Sequence, residues 1–144
     1  MTRFTTPDEA EAAFYAAFEA LDLSLMGQVW NDSPTIVCVH PGSDLLQGRS
    51  TVLRSWTEIL TGAERPEIRF NLIQRTLVDG LAVHLVEELI RPGRSRDEPN
   101  RVLATNIYQR TDMGWRMTAH HASLPLRRAS DEPSSPTPPA PRMH

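Results

Sequence analysis

The dipeptide Asp79-Gly80 stands between two strand-like runs, and no other feature constrains this chain as strongly. Aspartate and glycine tolerate the positive φ values that a two-residue hairpin turn demands. Before the turn, residues 68–77 alternate between apolar and polar; after it, residues 81–90 are mostly apolar, interrupted by His84, Glu87 and Glu88. A polar loop rich in proline, glycine and charge spans 91–100, and residues 101–110 read as a further strand. Asp112-Met113-Gly114 makes a second short connection, leading into a last apolar strand from Trp115 to Ser123. Four long antiparallel strands are predicted.

The first half of the chain reads differently. Thr6-Pro7-Asp8-Glu9 supplies an N-cap, a proline at the first helical position and a glutamate three residues after the cap. Phe14, Phe18 and Leu21 then recur at helical spacing, with Ala13 and Ala17 beside them. A shorter helix is predicted over 23–30, and Asn31-Asp32-Ser33-Pro34 releases the chain into a strand over 35–40. Residues 45–47 suit a short returning strand. Val52, Leu53, Trp56, Ile59 and Leu60 predict a third helix, stopped by Thr61-Gly62.

Helices first and a long meander afterwards make an α+β architecture, three helices on one face of a curved, mainly antiparallel sheet. The other sheet face needs a cover, and a second copy of the chain is the economical one, so a homodimer through the sheet face is expected. At 144 residues the chain is expected to form one domain, ending near residue 123. From 124 to 144 proline, serine, alanine and arginine dominate, and too little apolar surface is available to offset the entropy of ordering; this tail is expected to be disordered.

Composition excludes several classes. The formal charge is −3 and the longest basic run is Arg127-Arg128, which argues against a nucleic-acid partner. No apolar run reaches the ~20 residues of a membrane span. Cys38 has no partner for an intramolecular disulfide, and the first six residues lead directly into a helix start, so a cytoplasmic setting is the expectation. The histidines lack any usual metal-ligand spacing, and no metal or other cofactor is expected.

Several motifs together resemble a known family: Val37-Cys38-Val39-His40-Pro41-Gly42, Gly48-Arg49 opening a helix that carries Trp56, Ala104-Thr105-Asn106-Ile107-Tyr108, and Gly114-Trp115-Arg116 through His120-His121-Ala122-Ser123. This set resembles the SnoaL-like branch of the nuclear-transport-factor-2-like superfamily. The resemblance runs from Thr6 to Ser123 and implies a cone of helices over a bent sheet, usually dimeric. It also implies a range of activities: that superfamily includes ketosteroid isomerase, polyketide cyclases, scytalone dehydratase, limonene epoxide hydrolase, kinase association domains and noncatalytic transport factors. The aspartate pair of ketosteroid isomerase and the Asp-Arg-Asp set of the epoxide hydrolases have no match in this chain.

Alternation along the last strand puts Trp115, Met117, Ala119, His121 and Ser123 on one face and Arg116, Thr118, His120 and Ala122 on the other. The first set is expected to face the helices. His121 and His40 are therefore the candidate catalytic residues, since imidazole titrates near neutrality and suits general acid/base work. Asn106 could orient a histidine or bind a carbonyl, while Tyr15, Trp30, Trp56 and Trp115 are candidates for walling a ligand cavity. Glu87 and Glu88 must point opposite ways: one could be a buried carboxylate of raised pKa, but pairing with Arg75, Arg101 or Arg110 across strands is the expectation. Cys38 reads as a small buried apolar group. The leading expectation is a small, largely apolar organic ligand in the cone, bound by a homodimer. The alternatives are a cofactor-independent isomerase, dehydratase or cyclase using a pocket histidine, and a noncatalytic interaction module.

Overall fold

The computed structural model describes residues 2–62 and 64–126; the tail expected from residue 124 lies, from 127 onward, outside the described residues. Helix α1 (Pro7–Ala20) begins as its sequence predicts: Thr6 accepts a hydrogen bond from the Glu9 amide, and the Glu9 carboxylate accepts from the amide and hydroxyl of Thr5. Leu21 closes it in the left-handed conformation. Asp22 then caps α2 (Leu23–Val29) by accepting from the Leu25 amide. Strands β1 (Val37–Val39) and β2 (Leu46–Gln47) are short, and α3 (Arg49–Thr61) follows.

The meander consists of β3 (Glu67–Val78), β4 (Leu81–Arg91), β5 (Asn100–Thr111) and β6 (Gly114–Ser123). Asp79 and Gly80 have φ values of 43° and 79°, the double positive φ of a type I′ turn. The six-stranded sheet has the order β2-β1-β6-β5-β4-β3. Pairing is antiparallel except where β1 runs parallel to β6, a contact that alternation within the strands cannot reveal. This is the expected α+β cone.

Three helices cover one sheet face, and Phe14, Met26, Val29, Trp30, Val52, Trp56, Tyr108 and Met117 are sealed between the layers. Each large apolar side chain buried in this way contributes about 1.5–3 kcal/mol. Phe14 is the hub, touching Tyr15, Trp30 and Trp56 edge-on. The opposite face keeps Ile73, Val78, Leu81 and Leu85 exposed. Among the described residues, no helix is long and apolar enough to cross a membrane.

Candidate functional site

Strand register places a polar row across the floor of the cone. His120 on β6 lies opposite Asn106 on β5, Asn106 opposite His84 on β4, and His84 opposite Arg75 on β3. Above this row runs one face of α1, where Asp8, Glu11 and Tyr15 recur at spacings of three and four. The two surfaces meet through their polar groups.

His120 occupies the place that alternation assigns to His121. The register of β5 against β6 shifts between Tyr108↔Met117 and Ile107↔Ala119, leaving Thr118 as an extra residue. Beyond that bulge the parity reverses, so Met117 and His120 share the inner face while His121 turns outward and is exposed. The expected inward orientation of His121 is thus corrected: it lines a hollow on the outer sheet face with Ile73, Leu85, Leu103, Thr105 and Ser123.

His120 Nδ1 donates to Asn106 Oδ1 at 2.6 Å, a tautomer assigned from the network, because Asn106 Nδ2 donates to the Tyr15 hydroxyl at 2.9 Å and, at 3.4 Å, to Glu11 Oε2. The Tyr15 hydroxyl in turn donates to Glu88 Oε2 at 2.5 Å. A second branch converges on Glu11 Oε2, which accepts from the Tyr108 hydroxyl at 2.8 Å and from His84 Nδ1 at 3.0 Å. Arg75 Nε donates to His84 Nε2 at 3.4 Å, and the Arg75 guanidinium pairs with Asp8 at the surface. Glu11, His84, Glu88, Asn106 and His120 are all buried, and each finds partners, as buried polar groups must.

Burial sets the proton affinities. His120 is pushed down to about 3, first by burial and then by the neighbouring His40 and His121, so at neutral pH it is a neutral hydrogen-bonding ring. Glu88 is raised to about 7 by burial, with the Glu11 charge adding to the rise and the Tyr15 hydrogen bond opposing it. Burial, then the Glu88 charge, also holds the Tyr15 phenol well above its ordinary range. Glu88 is therefore the group poised to gain and lose a proton near neutrality. Glu87 does what was expected of the pair, pairing outward with Arg101 at 2.6 Å and Asn71 at 3.0 Å; its carboxyl is lowered by those contacts.

The remaining expected site residues divide. Tyr15 and Asn106 belong to the chain. His40 is half-buried, pushed down by burial, and hydrogen-bonds Ser55 Oγ at 3.0 Å; its ring centre lies 6.5 Å from that of His120, with Trp56 in contact with both. Trp56 contributes a wall. Among the described residues its indole N–H has no hydrogen-bond partner. Burial pushes the Cys38 thiol up to about 12, which suits the apolar role read for it. Trp30 lies on the far side of Phe14 from this chain, and Trp115 has the Arg110 guanidinium as its ring neighbour, 6.0 Å away; neither ring meets the histidines. Glu11, His84, Tyr108 and His120 were absent from the expected site. Glu11 stands seven residues before Phe18, on the same helical stripe, a spacing that marks it as inward-facing.

At the wide end of the cone an apolar hollow of about 290 Å³ is lined by Phe18, Leu21, Ile59, Ile90 and the 64–66 and 92–93 turns. Ile90 is the next inward position on β4 after Glu88, and Phe70 stacks on Tyr15 with ring centres 4.4 Å apart. An aromatic layer thus separates the hollow from the polar chain. Among the described residues, no three His, Cys, Asp or Glu side chains converge in a way that could hold a metal ion.

Comparison with known proteins agrees with this architecture. A Thiobacillus denitrificans protein, provisionally named as a calcium/calmodulin-dependent protein kinase type II association domain, is 37% identical and superposes with a TM-score of 0.82 over 88% of this chain and 100% of its own. A Streptomyces avermitilis protein of the NTF2-like family, provisionally named a dehydratase, is 31% identical, with a TM-score of 0.75 over 85% of this chain and 100% of its own. Among curated proteins, the Arabidopsis thaliana F-box protein SKIP8 is 20% identical over 113 residues, 78% of this chain; the chain spans about half of that protein's length, 47%. The SnoaL-like domain family model matches residues 8–127, and with the helix-over-sheet cone this places the chain in the SnoaL-like domain family, within the NTF2-like superfamily.

Proposed function

We propose that the chain binds a small, largely apolar organic molecule at the wide end of the cone and moves a proton on it without a cofactor, as a lyase of the dehydratase kind or an isomerase. The observation that carries this reading is the buried Glu88 carboxyl, raised to about 7 and hydrogen-bonded to Tyr15. A carboxyl with that proton affinity populates both forms at neutral pH, as a general base that must later act as an acid requires. With Phe70 displaced from its stack on Tyr15, the ligand reaches the polar chain: Glu88 takes a proton from a carbon next to a carbonyl; Tyr15 donates to the oxygen on which charge develops; the proton then returns to carbon or leaves with a hydroxyl as water. His120, neutral and fixed through Asn106, accepts a hydrogen bond from the substrate. The acid/base role thus passes from the expected histidines to Glu88. Similarity to a protein provisionally named a dehydratase is consistent with this.

The test has two parts. Thermal-shift screening against steroids, polyketide fragments and terpenoids should find stabilising ligands, and deuterium uptake from D₂O at the acidic carbon of a bound ketone should be visible by NMR. Glu88→Gln should retain binding and slow the uptake by ~10²-fold or more. Undiminished uptake in that variant, or no stabilising ligand in the whole panel, would refute the reading.

The exposed outer face supports a second element, a homodimer. Ile73, Val78, Leu81 and Leu85 are 57%, 62%, 44% and 43% exposed and cluster on one sheet surface. Similarity to a protein named as an association domain points the same way. Sedimentation should give a dimer that Leu85→Glu converts to monomer; a monomeric wild-type chain at ~100 µM would exclude it, since stable interfaces hold well below that concentration.

A further inference from the structure

Strand register defines the surroundings of the Glu88 carboxyl on the inner face of the sheet. Phe70 of β3 and Val102 of β5 stand opposite it, Val86 and Ile90 lie two residues away on β4, and Tyr15 reaches it from α1. Tyr15, Val86 and Val102 are buried, whereas Phe70 and Ile90 are half-buried. Ile90 also lines the apolar hollow, so the way from that hollow to the carboxyl runs between Ile90 and Phe70.

These two residues differ in freedom. Ile90 belongs to β4, which is paired with a strand on each side; Phe70 belongs to β3, the last strand of the sheet, paired with β4 alone. Past Phe70 the ladder is interrupted between Leu72 and Gln74, where Ile73 is the extra residue. The seam between β3 and α1 is tied on both sides of Phe70: Glu19 Oε2 accepts from the Ile68 amide at 2.8 Å, and Asp8 pairs with Arg75. At Phe70 the closure is an apolar one, a ring lying 21° from the plane of the Tyr15 ring with centres 4.4 Å apart. Rotation about the side-chain torsions ends such a contact while the polar ties on either side hold the backbone in place.

We propose that Phe70 is the gate of the cone: by leaving the face of Tyr15 its ring admits an apolar ligand from the hollow to Glu88, and by returning it keeps water from the carboxyl. This role rests on the reading of Glu88 as the group that moves a proton, and it reconciles a carboxyl that must be sealed with one that must be reached. Burial, the main cause of the raised Glu88 proton affinity, is then in part the work of one ring. Tyr15 and Glu11 are the titratable groups that act on Glu88; both lie on α1, so a substitution at Phe70 removes neither. Entry of water lowers Glu88 from about 7 toward the ordinary 4.5, whereas loss of the Tyr15 hydrogen bond raises it, since that bond holds it down. The sign of the change tells an open gate from a displaced Tyr15.

The test uses the full chain and an apolar reagent, N,N′-diisopropylcarbodiimide. A protonated carboxyl adds across one of its C=N bonds, the proton going to nitrogen and the carboxyl oxygen to the central carbon, and the adduct rearranges to an N-acylurea that peptide mass spectrometry locates. At about pH 4.5 at least half of Glu88 stays protonated even with the gate open. There Phe70→Ala should be labelled at Glu88 ~5-fold faster than wild type or more: an open state populated at about 10% or less leaves about tenfold to gain, and deprotonation takes back at most half. In the same variant the Glu88 midpoint, read from ¹³C carboxyl shifts, should fall below that of wild type. Phe70→Leu, which keeps an apolar side chain at this place, should move both readouts the same way by less and serves where the alanine variant fails to fold. Equal labelling rates in wild type and variants, no labelling of Glu88 in any of them, or a midpoint that stays or rises would each overturn the gate. Neither readout needs turnover, so deuterium uptake by a ketone remains the separate measure of proton transfer: faster labelling without uptake leaves the gate standing and refutes the reaction, and uptake with equal labelling does the reverse.

Discussion

Asn106 Oδ1 lies 2.6 Å from His120 Nδ1, across paired positions of β5 and β6. One amide therefore fixes the ring tautomer while its other end holds Tyr15, which holds Glu88. Replacing Asn106 with alanine strands the buried His120 Nδ1–H and takes one hydrogen bond each from Tyr15 and Glu11. The expected loss is about 2–4 kcal/mol of unfolding free energy, measured by urea denaturation. A loss below about 1 kcal/mol would mean that the network is not the rigid unit described.

The two opposed proton affinities shape stability against pH. Glu88 stands at about 7 against an ordinary 4.5, so the folded state holds a proton that the unfolded chain releases; its contribution is fully present below 4.5 and is lost as pH rises through 7. His120 stands at about 3 against 6.5; its contribution is present above 6.5 and is lost as pH falls through 3. His40, shifted in the same direction as His120, adds to the acid limb. Between 4.5 and 6.5 the slopes from Glu88 and His120 offset each other; below 4.5 stability should fall at ~1.4 kcal/mol per pH unit through His120, and from 6.5 to about 7 it should fall at the same slope through Glu88. Glu88→Gln should turn the level stretch between 4.5 and 6.5 into a rise with pH, by on the order of 3 kcal/mol across it, and remove the fall above 6.5. Denaturation curves from pH 3.5 to 8.5 check this, and an unchanged slope between 4.5 and 6.5 in the variant would contradict the assignment.

Adjacent histidines should differ sharply. His121 is exposed on the outer face, so His121→Ala should change stability by less than ~0.5 kcal/mol at concentrations where that face is unpaired. His120→Ala removes a buried ring packed against Phe14 and strands Asn106, and should cost ~2 kcal/mol or more. Equal effects would argue against the bulge at Thr118.

Gly114 starts β6 at φ +96°, and a Cβ there would meet the Phe4 carbonyl oxygen at 2.6 Å. Phe4 pairs with Gly114 and accepts from the Trp115 amide, so the obstacle is fixed backbone. Gly114→Ala combines left-handed strain with that clash and should lower stability by ~2 kcal/mol or more, read as a fall in Tm.

Much of this protein is legible locally. The Thr6-Pro7-Asp8-Glu9 start of α1, the Asp79-Gly80 turn and the helical stripe through Trp56 each state their own conformation, because caps, turns and amphipathic periods act over a few residues. Tyr15 and Asn106 were also recognisable as site residues from their types and places on predicted elements. Glu88 was only half legible: neighbouring glutamates must diverge on a strand, but nothing local says which one enters the cone.

By itself, then, the chain's sequence determined the order and kind of its elements, the split between a helical lid and a four-stranded meander, and the family to which these belong. Only tertiary structure decided which histidine faces inward, since one unpaired residue, Thr118, reverses the parity of β6 and depends on pairing with β5. Tertiary structure also brought Glu11, Tyr15, Glu88, Asn106 and His120 together from three strands and a helix, and buried them. That burial moves Glu88 toward neutrality and His120 far below it, and desolvation is a property of the packed interior that no local pattern encodes.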